Sequence, residues 1–160
     1  MPCLTKLKLY SIVNTLCLSK FINLTSLNLF DTCSNISCLS NLKKLNVSGY
    51  YNDICQDNIS SLVNLTNLNI SGNKQINNIG HLTNLIKLKN RNYGETLIKQ
   101  NSIDKLVNLT YLDIYNNVHI TNLSHLTKLT HLNIFNNFYI RNISHLTYLD
   151  IGVLSIRIIL

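Results

Sequence analysis

Three sets of side chains in this 160-residue chain have types and spacings that could carry chemistry. The first is the run of His-Leu-Thr phrases at His81, His125 and His145, with Lys105 at the equivalent place between the first two. Imidazoles recurring at one position of a stacked structure could bind a metal ion or titrate near neutral pH. No thiolate or carboxylate is expected within reach, and the ligands of real metal sites form closed sets, so repetition of a consensus residue explains the histidines better. The second set is Cys3, Cys17, Cys33, Cys38 and Cys55, an odd number with no CxxC pair. That pattern indicates neither a disulfide framework nor a zinc module, and it predicts free, buried thiols in a reducing compartment. The third set alternates along the later half: Lys87, Lys89 and Arg91, then Tyr111, Asp113 and Tyr115, then His131, Asn133 and Phe135. Aromatics beside cations are enriched where interfaces concentrate their binding energy.

Catalysis has no comparable candidate. Seven acidic residues (Asp31, Asp53, Asp57, Glu95, Asp104, Asp113 and Asp150) form no obvious pair, and five glycines are scattered. No nucleophile with a base and no phosphate-cradling loop is readable. The expectation is therefore no catalytic residue, no metal and no cofactor.

The elements that must position the third set are visible as a repeat. The pattern Leu-x-x-Leu-x-(Leu/Ile/Val) occurs as Leu4-Leu7-Leu9, Leu24-Leu27-Leu29, Leu42-Leu45-Val47, Leu65-Leu68-Ile70, Leu85-Leu88-Asn90, Leu109-Leu112-Ile114, Leu129-Leu132-Ile134 and Leu146-Leu149-Ile151. The starts are 20, 18, 23, 20, 24, 20 and 17 residues apart. Within each copy, alternate residues point to opposite faces of a strand, so the leucines enter the core and their neighbours face out. One copy cannot bury its apolar side alone; stacking copies makes a parallel sheet over a continuous core. Three outward columns follow. They run Lys6, Ser26, Lys44, Asn67, Lys87, Tyr111, His131, Tyr148; then Lys8, Asn28, Asn46, Asn69, Lys89, Asp113, Asn133, Asp150; then Tyr10, Phe30, Ser48, Ser71, Arg91, Tyr115, Phe135. The nine residues from Lys87 to Phe135 named above are the predicted binding patch.

These residues match the consensus LxxLxLxxN, and the chain resembles the leucine-rich-repeat superfamily over nearly its whole length. The Asn of that consensus stands at Asn73, Asn117 and Asn137, with Thr32, Tyr50 and Tyr93 in its place in other copies. The resemblance implies that the Asn satisfies backbone groups of adjacent coils from inside the solenoid. Between strands the apolar period is three, as in Ile76, Ile79, Leu82, Leu85 and in Ile120, Leu123, Leu126, Leu129, which fits 3₁₀ turns or extended segments and not long helices. The predicted class is an α/β-type leucine-rich-repeat solenoid, mostly β, with a parallel concave sheet and 3₁₀ or extended convex segments. It is similar to the short-repeat, internalin-like or phosphatase-regulator-like branch. One domain of about eight repeats spanning 1–160, without evident caps, is expected. Two irregularities stand out: the segment Asn90 to Ser102 stretches its copy to 24 residues and puts Asn90 at a core position, predicting a bulge there, and the frame of the last copy is open between Leu146 and Leu149.

Composition bounds the rest. About one residue in six is Asn and there is no Ala, a skew that disfavours helix interiors. It also looks like an AT-rich gene, and the repeat families of large DNA viruses are the nearest resemblance, so a viral protein is expected. The net charge is +7 but only 13% of residues are charged, a thin positive potential. The leading expectation is a cytoplasmic protein–protein interaction module with a protein partner. The alternatives are a nucleic-acid-binding solenoid through the basic and aromatic patch, and an extracellular adhesion module, suggested by Asn-X-Ser/Thr triplets such as those at Asn23, Asn64 and Asn108. No signal peptide is readable at the start. The apolar tail Ile151 to Leu160 is about half the length of a membrane span, so no membrane anchor is expected. Open ends predict end-to-end self-association.

Overall fold

The computed structural model describes residues 3–10, 18–30, 35–92, 97–140, 143, 146 and 148–150. Eight short strands form one parallel sheet in sequence order. They are β1 (Lys6–Leu9), β2 (Ser26–Leu29), β3 (Lys44–Asn46), β4 (Asn67–Asn69), β5 (Lys87–Lys89), β6 (Tyr111–Asp113), β7 (His131–Asn133) and β8 (Tyr148–Asp150). The chain is a leucine-rich-repeat solenoid. Its register is the one the leucine spacing predicts: Leu7 pairs with Leu27, Leu27 with Leu45, Leu45 with Leu68, and so on to Leu112 with Leu132. The frame of the last copy resolves onto Leu146, because Leu132 pairs with Leu149 and His131 with Tyr148.

Beneath the sheet the apolar residues form one core, and Leu27, Leu68, Leu88, Leu112 and Leu132 are all buried. Burying each such side chain contributes about 1.5–3 kcal/mol. Leu4, Leu7 and Leu9 of the first coil are only partly buried against that core.

The three-residue period has a direct cause. In each coil one apolar residue donates its N–H to the carbonyl of the apolar residue three places earlier: Leu82 to Ile79 at 2.9 Å, then Leu85 to Leu82 at 3.0 Å. Leu126 and Leu129 repeat the pattern through Leu123 and Leu126. Successive turns of this 3₁₀ kind return the same face to the core every third residue. One of them is a regular 3₁₀ helix, Leu18–Lys20.

The two longest coils differ from that scheme. Each contains a single α-helical turn, α1 (Gln56–Ile59) and α2 (Gln100–Ile103). At Asn90 and Asn92 themselves no bulge interrupts the ladder, while residues 93–96 of the segment in which one is predicted lie outside the described residues. Asn90 N–H donates to the Asp113 carbonyl at 2.7 Å and Asn92 N–H to that of Tyr115 at 2.9 Å, so the ladder continues through the anomalous position. The Asn90 side chain is instead buried in the column of Ile70, Ile114 and Ile134, and its Nδ2 finds no partner. The expectations resting on Thr32, Tyr93, Cys17, Cys33, His145 and the 151–160 tail lie outside the described residues.

Candidate binding surface on the concave sheet

The turn leaving each strand sets where the outward side chains stop and where the chain re-enters the core. At Asn116 and Asn136 the backbone is left-handed, with φ of 60° and 59°, and at Gly72 φ is 76°. Asn and Gly tolerate this region better than other residues. The next residue then points inward, and these are Asn73, Asn117 and Asn137. The Nδ2 of Asn117 donates to the Ile98 carbonyl at 3.0 Å, and its Oδ1 accepts the His119 N–H at 2.9 Å. The Nδ2 of Asn137 reaches the carbonyls of Asn117 and Ile120. Asn73 donates to the Ile54 carbonyl at 2.9 Å and accepts from Gln75 and Ile76. A fourth member escaped the sequence reading. Asn52, two places beyond Tyr50, donates to the Leu29 carbonyl and accepts the Ile54 N–H, both at 3.0 Å. The chain makes an excursion through Gly49 (φ 140°) and the exposed Tyr50 and Tyr51, which delays the inward Asn by those two residues.

On this frame the predicted patch assembles. Lys87 and Lys89 lie on β5, Tyr111 and Asp113 on β6, His131 and Asn133 on β7, in direct lateral register. The rings of Tyr115 and Phe135 stack with centroids 4.8 Å apart and planes 7° from parallel. Tyr111 and His131 stack at 6.2 Å, and His131 meets Tyr148 at 5.2 Å. These separations reflect the spacing of neighbouring strands, about 4.8 Å. The Lys89 ammonium sits 5.6 Å from the centroid of the Tyr111 ring. Arg91 Nε donates to Asp113 Oδ2 at 2.7 Å; the carboxylate is fully buried while the guanidinium side chain is about half exposed. Asp113 therefore serves as a buried counter-ion holding Arg91 across the sheet, and its Oδ1 has no partner. Asn133 Oδ1 accepts the Phe135 N–H at 3.2 Å, which orients its amide.

A feature the sequence reading passed over lies beside the patch. A hollow of about 420 Å³ opens over β2–β5, sharing Lys87, Lys89 and Tyr111 with the predicted set and adding Lys44 and the asparagines between them. The Asn and Ser residues in the first half of the outward columns signalled it, whereas the predicted patch was placed on the later half.

The other two residue sets behave differently. The Nε2 of His81 contacts the Ile59 carbonyl at 3.3 Å and that of His125 the Ile103 carbonyl at 3.4 Å, so each imidazole ties its coil to the preceding one. Among the described residues, no group of three or more His, Cys, Asp or Glu converges. The expectation of buried thiols is corrected: Cys3 and Cys38 are exposed and Cys55 is half-buried. Cys38 lies between the core residues Ile36 and Leu39, off the three-residue period, and so faces out. The Asn-Leu-Thr phrases also have structural work. Asn64 donates to the Ser40 carbonyl at 2.9 Å, Asn108 to that of Thr83 at 3.1 Å, and Thr66 to that of Lys43 at 3.1 Å. Among the described residues, no helix is long and apolar enough to cross a membrane.

No family model and no curated protein matches the sequence. Solved structures match the fold. An internalin, InlF, from Listeria monocytogenes superposes with a TM-score of 0.70 at 23% identity, over 91% of this chain and 46% of the internalin. Internalin C2 from the same organism gives 0.55 at 19% identity, over 91% and 77%. A TLR13–ssRNA13 complex gives 0.56 at 19% identity, over 94% of this chain and 29% of the receptor. The chain thus spans less than half the length of the first and third of these proteins.

Proposed function

We propose that this chain is a non-catalytic protein-interaction module that holds its partner on the concave sheet, through Lys87, Lys89, Arg91, Tyr111, Asp113, Tyr115, His131, Asn133 and Phe135. The observation that carries the reading is the pre-stacked array on β5–β7. Its aromatic rings are ordered against one another before any partner arrives, and cations border them. Rigid anchors bind with less entropy loss than mobile ones. The internalin and TLR13 structures share the fold. A cytoplasmic, reducing setting is part of the proposal, because exposed free thiols at Cys3 and Cys38 suit it.

Affinity capture from extract of the source cells, with wild type beside a Lys87→Glu, Tyr111→Ser, Phe135→Ser variant of unchanged circular dichroism, tests the reading. A protein recovered by wild type alone supports it. Equal recovery by both overturns the site. The second reading is nucleic-acid binding, favoured by the basic residues at the aromatic patch and by the RNA-bound solenoid among the fold's neighbours. It requires affinity that falls steeply with added salt.

A further inference from the structure

The hollow over β2–β5 is rich in hydrogen-bond donors, and at Asn46 and Asn69 the reason is local. Asn46 Oδ1 accepts the Ser48 N–H at 3.0 Å, and Asn69 Oδ1 accepts the Ser71 N–H at 3.1 Å. This is the side-chain turn that Asn makes with the backbone two residues on. It consumes the oxygen of each amide and pins the NH₂ end outward into the hollow. Both amides line that hollow together with the ammonium-bearing Lys44, Lys87 and Lys89, all three exposed. Among the described residues none of these lysines joins an ion pair, and the one buried carboxylate nearby, Asp113, is held by Arg91. Extended positive potential with fixed donors and no competing acceptor charge suits an anion.

Resting on the concave-face reading above, we propose that this hollow binds an extended acidic segment of the partner polypeptide, with glutamate or aspartate carboxylates seated on the Asn46 and Asn69 amides and on the lysines. Lys87 and Lys89 occupy alternate positions of one strand, so their attachment points are about 7 Å apart. Carboxylates on alternate residues of an extended peptide have the same separation. Lys44 stands two strands away from Lys87, about 10 Å across the hollow, which continues past it to Ser26 and Asn28 of β2. A polypeptide fits better than single-stranded nucleic acid. Bases need open ring faces to stack on, whereas Tyr111, the aromatic that lines the hollow, has His131 stacked on it from one neighbouring strand and the Lys89 ammonium over its ring from the other.

The test is fluorescence anisotropy of a labelled oligoglutamate peptide, with an oligoglutamine peptide and a single-stranded oligonucleotide of equal charge as comparators. The variant is Asn46→Asp with Asn69→Asp, which keeps both acceptor oxygens for Ser48 and Ser71 and replaces the outward donors with negative charge. Wild type is expected to bind oligoglutamate at least about tenfold more tightly than either comparator, and the double variant to lose about tenfold or more in affinity with its circular dichroism unchanged. Equal binding by the variant, or tighter binding of the oligonucleotide, overturns the proposal. Loss of oligoglutamate binding in wild type, beside partner capture that still depends on Tyr111 and Phe135, overturns the acidic segment alone and leaves the concave-face reading standing.

Discussion

Replacing Asn117 with Ala should be among the costliest single substitutions in the chain, although it deletes only one small amide. The side chain is fully buried, and it closes two backbone groups: the Ile98 carbonyl at 3.0 Å and the His119 N–H at 2.9 Å. A buried polar group left without a partner costs about 1–3 kcal/mol. The Ile98 carbonyl falls in that class, since its residue is buried. The His119 N–H lies at the half-exposed edge and can recruit water, so it adds about 1 kcal/mol. The expected loss is about 2–4 kcal/mol. Urea unfolding followed by circular dichroism measures it, and the slope with denaturant should stay constant while the midpoint falls. Asn117→Asp sharpens the test. It keeps an acceptor for His119 but turns a carboxylate toward the Ile98 carbonyl, and burial there raises the folded-state pKa above its unfolded value. The variant should therefore be most stable below the unfolded pKa and lose stability as pH rises through the folded one. A cost under about 0.5 kcal/mol for the Ala variant, the size of an ordinary surface change, would refute the ladder as an energetic element.

Other expectations follow from the same structure. Asn90→Ile should stabilise the chain by about 1–3 kcal/mol, because it removes an unpartnered buried amide and completes the column of Ile70, Ile114 and Ile134; a lower unfolding midpoint would contradict this. Arg91→Ala should cost about 1–3 kcal/mol by stranding the buried Asp113 carboxylate. Adding Asp113→Asn should recover most of that loss, which a double-mutant cycle reads directly. Gln100→Ala should cost about 1–2 kcal/mol, since its Oε1 accepts the N–H groups of Thr121 and Asn122 and its Nε2 donates to the Asn122 carbonyl; proteolysis of the following coil should quicken in parallel.

Strand positions were legible in the sequence because the leucine alternation is a periodic physical requirement, and the concave columns paired as that alternation demands. What stayed hidden has no period. Asn52 performs the inward-Asn role from a displaced position because Gly49 permits a detour, and nothing in the consensus spacing marks how long a detour is. Gln56 and Gln100 clamp the next coil through backbone groups of Asn77, Asn78, Thr121 and Asn122. A side chain that bonds to main chain leaves no complementary residue to notice. Asn90 is the opposite case: an amide stands at an apolar position, yet the ladder at Asn90 and Asn92 is made by backbone atoms and ignores the side chain. Exposure of Cys3 and Cys38 followed from register, which the general preference of cysteine for interiors does not capture. The members of the candidate patch were readable, whereas the outward donors of Asn46 and Asn69 in the neighbouring hollow depend on which end of each amide is occupied.

The placement of α1 and α2 has a consequence for how such an array can grow. A helical turn with its side chains is about 10 Å across, while stacked strands advance about 4.8 Å per coil. Helical turns in adjacent coils would wedge the back of the molecule open. Here the coil carrying α1 and the coil carrying α2 are separated by one built of tight turns, and another follows α2. Each helical turn thus has two strand spacings to fill, which nearly equals its width, and Gln56 and Gln100 each reach from the wide coil into the narrow one. Through this stretch the packing repeat is a pair of coils, wide with narrow. Excising the narrow coil from Leu65 to Asn84 would leave the strand pattern intact and yet force α1 against α2, whereas excising a wide and narrow pair together would shorten the molecule without strain.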